Sequence, residues 1–146
     1  MPKVITTGKL DLLHVGHFNA LNQCRLLAGP EGKVIVMLDE DERIKEGNSR
    51  LPIIPYAIRK INLMAMQCGN RSMIDEVIGI DSDEELLYEI AKATPDYLVK
   101  GAEWLGKPVI GQHHATMVFY KPTANGLGDK ISSSDIIKMV LKAYED

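Results

Sequence analysis

Short apolar runs alternate with amphipathic helical patterns from one end of this sequence to the other, and that alternation predicts a parallel α/β sheet. Val4-Ile5-Thr6-Thr7, Val34-Ile35-Val36-Met37-Leu38, the stretch from Met73 to Ile80, Tyr97-Leu98-Val99 and the stretch from Thr116 to Tyr120 read as five strands. No repeat, low-complexity tract or Pro/Ser-rich linker breaks the pattern. At 146 residues, the expectation is one Rossmann-like domain over residues 1–146, with helices flanking the five-stranded parallel sheet.

Four helices fit between and after these strands. The first carries Phe18, Leu21, Cys24 and Ala28 at spacings of three and four, and Gly29-Pro30 stops it, so it starts close to His14 and His17. The second is opened by Pro55 and places Ala57, Ile58, Ile61, Met64 and Ala65 on its inner face. Ser82-Asp83-Glu84-Glu85 reads as a capping box for the third, with Leu86, Leu87, Ile90 and Ala91 inside. The last starts after Ser133 or Ser134 and aligns Ile136, Ile137, Val140, Leu141 and Tyr144 along one stripe.

The loops left over are Asp39 to Pro55, Gly101 to Ala115 and Lys121 to Lys130, each following a strand. Ligands of open parallel sheets collect beyond the carboxyl ends of the strands, so function belongs there. A net charge of −3 argues against binding nucleic acid by bulk neutralisation and leaves room for a local anion site. The N-terminus lacks the pattern of a secretory signal and no run reaches membrane-spanning length, so the expectation is a cytoplasmic protein that does not engage a membrane. Cys24 and Cys68 have no CxxC partner and read as buried free thiols; the scattered Met37, Met64, Met66 and Met73 read as core filler.

No strand is followed by GxGxxG, which disfavours a nicotinamide enzyme. Gly101 to Pro108 spells GxxxxGK, but proline stands where a P-loop needs a hydroxyl for magnesium. The informative segment is Thr6-Thr7-Gly8-Lys9-Leu10-Asp11-Leu12-Leu13-His14-Val15-Gly16-His17. Two histidines three apart at a helix start project to one side, where backbone N–H groups and the helix dipole favour an anion, and Gly16 lets a phosphate approach the backbone. A single histidine is more often a satisfied structural residue; HxGH after a strand and a Gly-x-x-Asp turn points to function. His113-His114 reads as a solvated loop pair, and Asp39-Glu40-Asp41-Glu42 as an acidic surface turn.

Gly8, Asp11, His14, Gly16 and His17 resemble the signature of the cytidylyltransferase-like nucleotidyltransferases, with Leu10 where members commonly carry phenylalanine. The resemblance extends over nearly the whole chain. Lys45, Ser49-Arg50-Leu51-Pro52 and Arg59 look like the family's lysine loop and helix arginine. Pro95-Asp96-Tyr97-Leu98-Val99-Lys100-Gly101 is similar to a stretch of heptose-1-phosphate adenylyltransferases, and Trp104 with Gly106-Lys107 to the tryptophan loop of glycerol-3-phosphate cytidylyltransferases. Ile131-Ser132-Ser133-Ser134-Asp135-Ile136 looks like an element shared by both groups. The arginine that cytidylyltransferases place before that element is missing, with Lys121 and Lys130 the nearby cations.

The resemblance implies an enzyme that transfers a nucleotidyl group from an NTP, ATP favoured, to a phosphorylated sugar or polyol, with magnesium as cofactor and a homodimer as its form. It implies catalytic roles for His14, His17 and Lys45, and nucleotide binding by Thr7, Gly8, Asp11, Gly16, Lys100, Gly101, Ser132 and Ser133. Arg59 would bind acceptor or nucleotide phosphate, and Asp11 would orient neighbouring groups or a metal, although no residue set identifies the metal ligands. The alternatives are a CTP-dependent enzyme of the glycerol-3-phosphate type, an inactive nucleotide-binding regulator, and a metal-binding protein built on His14, His17, His113 and His114.

Overall fold

The computed structural model describes residues 1–120 and 131–145, so Lys121 and Lys130 lie outside the described residues. Five parallel strands form the main sheet: β1 (Lys3–Gly8), β2 (Lys33–Asp39), β5 (Glu76–Ile80), β6 (Tyr97–Gly101) and β7 (Thr116–Tyr120). Five helices accompany them: α1 (Val15–Ala28), α2 (Asp41–Asn48), α3 (Tyr56–Met64), α4 (Asp83–Ala93) and α5 (Ser133–Ala143). A small antiparallel hairpin, β3 (Gln67–Cys68) with β4 (Arg71–Ser72), completes the pattern.

Along the sheet the order is β5-β2-β1-β6-β7. The chain grows outward from β1 to β5 and then returns to the other side of β1, which places the topological switch point between β1 and β6. A crevice opens at such a point, beyond the carboxyl ends of the two strands. Their register, Val4 against Tyr97 and Thr6 against Val99, brings the residues after Thr7 and after Val99 to its two sides.

Successive residues of β2 supply opposite faces. Val34, Val36 and Leu38 pack with Val4, Leu21, Cys24 and Leu63 on the side of α1 and α3, whereas Ile35 and Met37 pack with Ile5, Ile80, Leu86, Ile90 and Leu98 on the side of α4. All five β2 side chains from Val34 to Leu38 are buried, as expected for a strand covered on both faces.

The structure corrects several details. Asp39 to Asn48 is not an irregular loop: Glu40 is the N-cap of α2, and Asp41 and Glu42 lie in its first turn, where carboxylates complement the positive end of the helix dipole. The acidic run is thus helix-start chemistry. The inner face expected for α3 is its outer one: Ile58 and Ile61 are exposed and Met64 partly so, whereas Arg59 and Leu63 are buried. The stripe of α5 is likewise outward at Val140, Leu141 and Tyr144, and on α4 Leu87 is exposed beside buried Leu86 and Ile90. Apolar periodicity locates these helices but does not say which neighbour covers them. At the start of α4, Ser82 accepts from the Glu85 amide at 3.1 Å, and the reciprocal half of the predicted box is not formed. Cys24 is buried, which pushes its thiol up to about 12, while Cys68 is half-buried.

Candidate active site

A cavity of about 850 Å³ occupies the crevice at the switch point. On the β1 side it is lined by Thr7, Gly8, Lys9, Asp11, His14, Gly16 and His17; on the β6 side by Lys100, Gly101, Glu103 and Trp104; and across the mouth by Ser132, Ser133 and Ser134. Every residue expected to bind nucleotide therefore lines one cavity, although 125 positions separate the first, Thr7, from Ser132.

The loop from β1 to α1 is held in an unusual backbone. Leu10 (φ 48°) and Leu12 (φ 44°) are both left-handed, a conformation costing about 1–3 kcal/mol each for residues with a side chain. Leu10 and Leu13 pack against the core, which holds the turn in place and aims Asp11 inward. Asp11 is buried, and its two carboxylate oxygens accept from the amides of Ile53 and Ile54, each at 2.8 Å. It docks the 49–55 segment rather than offering a metal ligand.

α1 begins at His14, the N-cap. Its Nδ1 accepts from Gly16 N at 3.1 Å, and His17 Nδ1 accepts from His14 N at 3.3 Å. The two rings stack with centroids 3.9 Å apart. Burial lowers the pKa of His14 and, together with the neighbouring His14 ring, takes that of His17 to about 4. Both shifts favour the uncharged imidazole.

At the other wall Lys100 Nζ donates to Thr7 Oγ1 at 2.9 Å and lies 4.6 Å from the centre of the Trp104 ring. This bridge ties β6 to β1 across the switch point. Burial pushes the ammonium down from the usual lysine range, partly offset by Asp39 and Glu103. Ala102–Trp104 forms a 3-10 turn, without the helix start that a P-loop requires, so the GxxxxGK spelling carries no phosphate loop. At the third wall Ser132 caps α5 in a reciprocal box with Asp135, and Ser133 Oγ donates to the backbone oxygen of Asp11 at 2.8 Å.

Two expected residues are not brought to the cavity. Lys45 is exposed on α2 and does not line it; Asn48 and Arg50, one helical turn and more further on, do. The helix that replaces the expected loop decides which side chains reach the crevice. Arg59 is 1% exposed, and its guanidinium donates to Ile54 O, Lys9 O, Asp39 O and the Asp41 carboxylate at 2.7–2.8 Å. With its donors engaged by protein, it is a structural tie between β1, β2 and α3 and not an acceptor-binding group. Sequence reasoning passed over Lys9 and Arg50, both inside segments singled out for other residues; a cation within the Gly-x-x-Asp turn is the signal that would have found Lys9. His113 and His114 lie on an exposed 3-10 turn away from the cavity. Among the described residues, no three His, Cys, Asp or Glu side chains are grouped to hold a metal ion.

A family model described as cytidylyltransferase-like matches residues 5–139. The bifunctional protein HldE of Helicobacter pylori (strain HPAG1) is 33% identical over 146 residues, covering 98% of this chain and 28% of the relative. An FAD synthase of Korarchaeum cryptofilum (strain OPF8) is 26% identical over 148 residues, covering 97% of this chain and 93% of that one. The chain thus spans little more than a quarter of the length of HldE and nearly all of the archaeal relative. A lipopolysaccharide core biosynthesis protein from Thermoplasma volcanium GSS1, known from its crystal structure, superposes with a TM-score of 0.62 at 20% identity, covering 84% of this chain and 97% of that one. That last likeness concerns the fold alone.

Proposed function

The chain belongs to the cytidylyltransferase-like family and is a nucleotidyltransferase, and from that premise we propose that it transfers an adenylyl group from ATP to the phosphate of a small sugar or polyol phosphate. An acceptor oxygen forms the new bond to the α-phosphorus as the bond to the β-phosphate oxygen breaks, and pyrophosphate leaves. Such a step needs alignment and charge stabilisation, and no covalent enzyme intermediate.

One observation carries the reading: the starts of α1 and α5, far apart in sequence, line one cavity with cationic side chains around it. Helix N-termini with unpaired N–H groups are anion sites, and two of them converging suit a polyphosphate. His14 and His17 act on the α- and β-phosphates, and the serines of α5 on the leaving end. With Arg59 engaged, Lys9, Arg50 and Lys100 are the cavity cations left, among the described residues, for the acceptor phosphate. Thr7, Gly8, Gly16 and Gly101 give the nucleotide close access to backbone.

Magnesium enters this scheme on the triphosphate. Both Asp11 oxygens are taken by amides, and no three His, Cys, Asp or Glu side chains are grouped among the described residues, so these do not fit a protein-built magnesium cage. The outward apolar faces of α3 and α5 support the homodimer expected from the family resemblance, which size-exclusion chromatography with light scattering tests directly.

The adenylyl choice rests on the similarity of Pro95 to Gly101 to heptose-1-phosphate adenylyltransferases. A second acceptor class has its own support. FAD joins an adenylyl group to a flavin phosphate, one relative is an FAD synthase, and Trp104 offers a part-exposed ring inside the cavity. The test is pyrophosphate release with ATP or CTP against heptose 1-phosphate, glycerol 3-phosphate and FMN. The expected result is faster release with ATP than with CTP for at least one acceptor; a CTP preference with every active acceptor overturns the base assignment.

A further inference from the structure

α1 opens on a capping box built from two histidines. Ser or Thr with Glu or Gln oxygens usually fill these positions. An imidazole nitrogen accepts a hydrogen bond only when it carries no proton. His14 Nδ1 accepts from Gly16 N, and His17 Nδ1 accepts from His14 N. Both donors are backbone N–H groups, which cannot reverse the bond, so neither Nδ1 is protonated while the cap stands. Nε2 is then the only nitrogen on each ring that can hold a proton and meet a ligand. We propose, on the reading of the site given above, that the paired cap locks His14 and His17 as neutral Nε2–H tautomers, so that the phosphates meet two uncharged N–H donors and not two imidazolium cations.

The surroundings agree with that assignment. Adding a proton to either Nδ1 breaks a cap bond, and protonating both rings sets two cations 3.9 Å apart in a stack. Asp135 on α5 faces His14, and Asp11 faces His17, and both carboxylates favour protonation. Burial outweighs them at each ring, and the pKa of His17 falls to about 4. Positive charge at the site then comes from Lys9, Arg50 and Lys100, which line the same cavity, while the histidines supply direction. Their Nε2–H groups are positioned by the same bonds that start the helix. Loss of activity in acid and fraying of the first turn of α1 are one event in this arrangement.

The experiment is long-range ¹H–¹⁵N correlation of the wild-type protein, ¹⁵N-labelled at histidine and free of nucleotide, at pH 7. His14 and His17 are assigned by comparison with His14→Asn and His17→Gln. Both rings should give the neutral Nε2–H pattern; an Nδ1–H or imidazolium pattern for either ring overturns the proposal. In His14→Asn the amide oxygen replaces Nδ1 as the N-cap, so the thermal midpoint should stay near wild type while pyrophosphate release drops at least tenfold. Retained release would show that His14 serves the cap alone and overturn its donor role. The ring spectra need no substrate, so a failure of nucleotidyl transfer with every NTP and acceptor is seen separately from a failure of the tautomer assignment.

Discussion

Ser133 Oγ donates to the backbone oxygen of Asp11 across 122 positions of sequence, and through it the start of α5 is fastened to the loop that carries His14 and His17. Asp11 in turn holds Ile53 and Ile54 by their amides. Three segments that line or border the cavity therefore converge on one buried residue. This explains why an aspartate stands at that place better than a ligand role does.

Ser132 and Ser133 consequently have separable functions. Ser132→Ala removes the cap of α5, a loss of about 1 kcal/mol of helix stability, and should speed amide exchange along that helix. Ser133→Ala breaks the tie to Asp11 and leaves the cap. Replacing both should weaken ATP binding more than adenosine binding in calorimetric titrations. Equal weakening of the two ligands would reduce the pair to helix support.

Arg59 gives a sharper contrast. Truncation to alanine leaves three carbonyls without their donor and the part-exposed Asp41 carboxylate without its partner, and each buried acceptor left unpaired costs about 1–3 kcal/mol. Urea unfolding of Arg59→Ala should show a loss of that order, and Arg59→Lys should recover only part of it, because an ammonium cannot reproduce the planar fork. A rise confined to the acceptor KM, with unchanged stability, would return Arg59 to the binding role its sequence position suggested.

His17→Ala should reduce turnover by about 100-fold or more, the scale for losing one preorganised donor to the transition state. The readout is initial-rate pyrophosphate release per folded molecule, with circular dichroism to count the folded fraction. A merely structural histidine would lower stability and leave that specific rate unchanged.

The strands and their order of burial were legible because a strand covered on both faces must be apolar throughout, and Val34 to Leu38 is so. The cavity was legible because HxGH and the serine element each carry a local reason to bind an anion. What escaped was relational. Nothing local distinguishes Arg59 as a buried tie from Arg59 as a surface ligand; its burial depends on Lys9, Asp39 and Asp41 arriving from other elements. The role of Lys45 rests on the likeness of its segment to the family's lysine loop, and Asp41 to Asn48, with Ile44 its one buried residue and an acidic first turn for support, has too little apolar periodicity to reveal the helix on which Lys45 is exposed.

The histidine pair makes the fold acid-sensitive in a defined window. The folded pKa of His17 lies near 4, below its ordinary 6.5, so the unfolded chain takes up the proton first as pH falls. The stability this neutral ring contributes is present above about pH 6.5 and is lost progressively toward pH 4, with each unit of the gap worth about 1.4 kcal/mol before solvent screening. His14 is shifted in the same direction and adds to the slope. Urea midpoints at pH 7, 5.5 and 4.5 should fall more steeply for the wild type than for His17→Gln, whose amide fits the box but does not titrate. Parallel slopes would mean that the ring titrates alike in the folded and unfolded chain.

Lys100 separates binding from stability in the opposite sense. Its ammonium is held out of bulk water between Thr7 and the Trp104 ring, and the downward shift of its pKa is the mark of a charge that burial disfavours. A group kept charged at a cost to the fold has a reason to be there only if something at the site needs it. Lys100→Met keeps an unbranched stem one atom shorter than lysine while removing the ammonium and its charge. Its thermal midpoint should therefore match or exceed that of the wild type, since the lost bond to Thr7 is neutral on one side and the desolvated charge is gone. The acceptor KM should rise about tenfold or more, the scale of a charge-assisted contact of roughly 1.5–3 kcal/mol. Thermal shifts and initial rates on the same preparation read both quantities. A destabilised variant with unchanged KM would make Lys100 a brace between β1 and β6, and leave Lys9 and Arg50 as the cations that receive the acceptor.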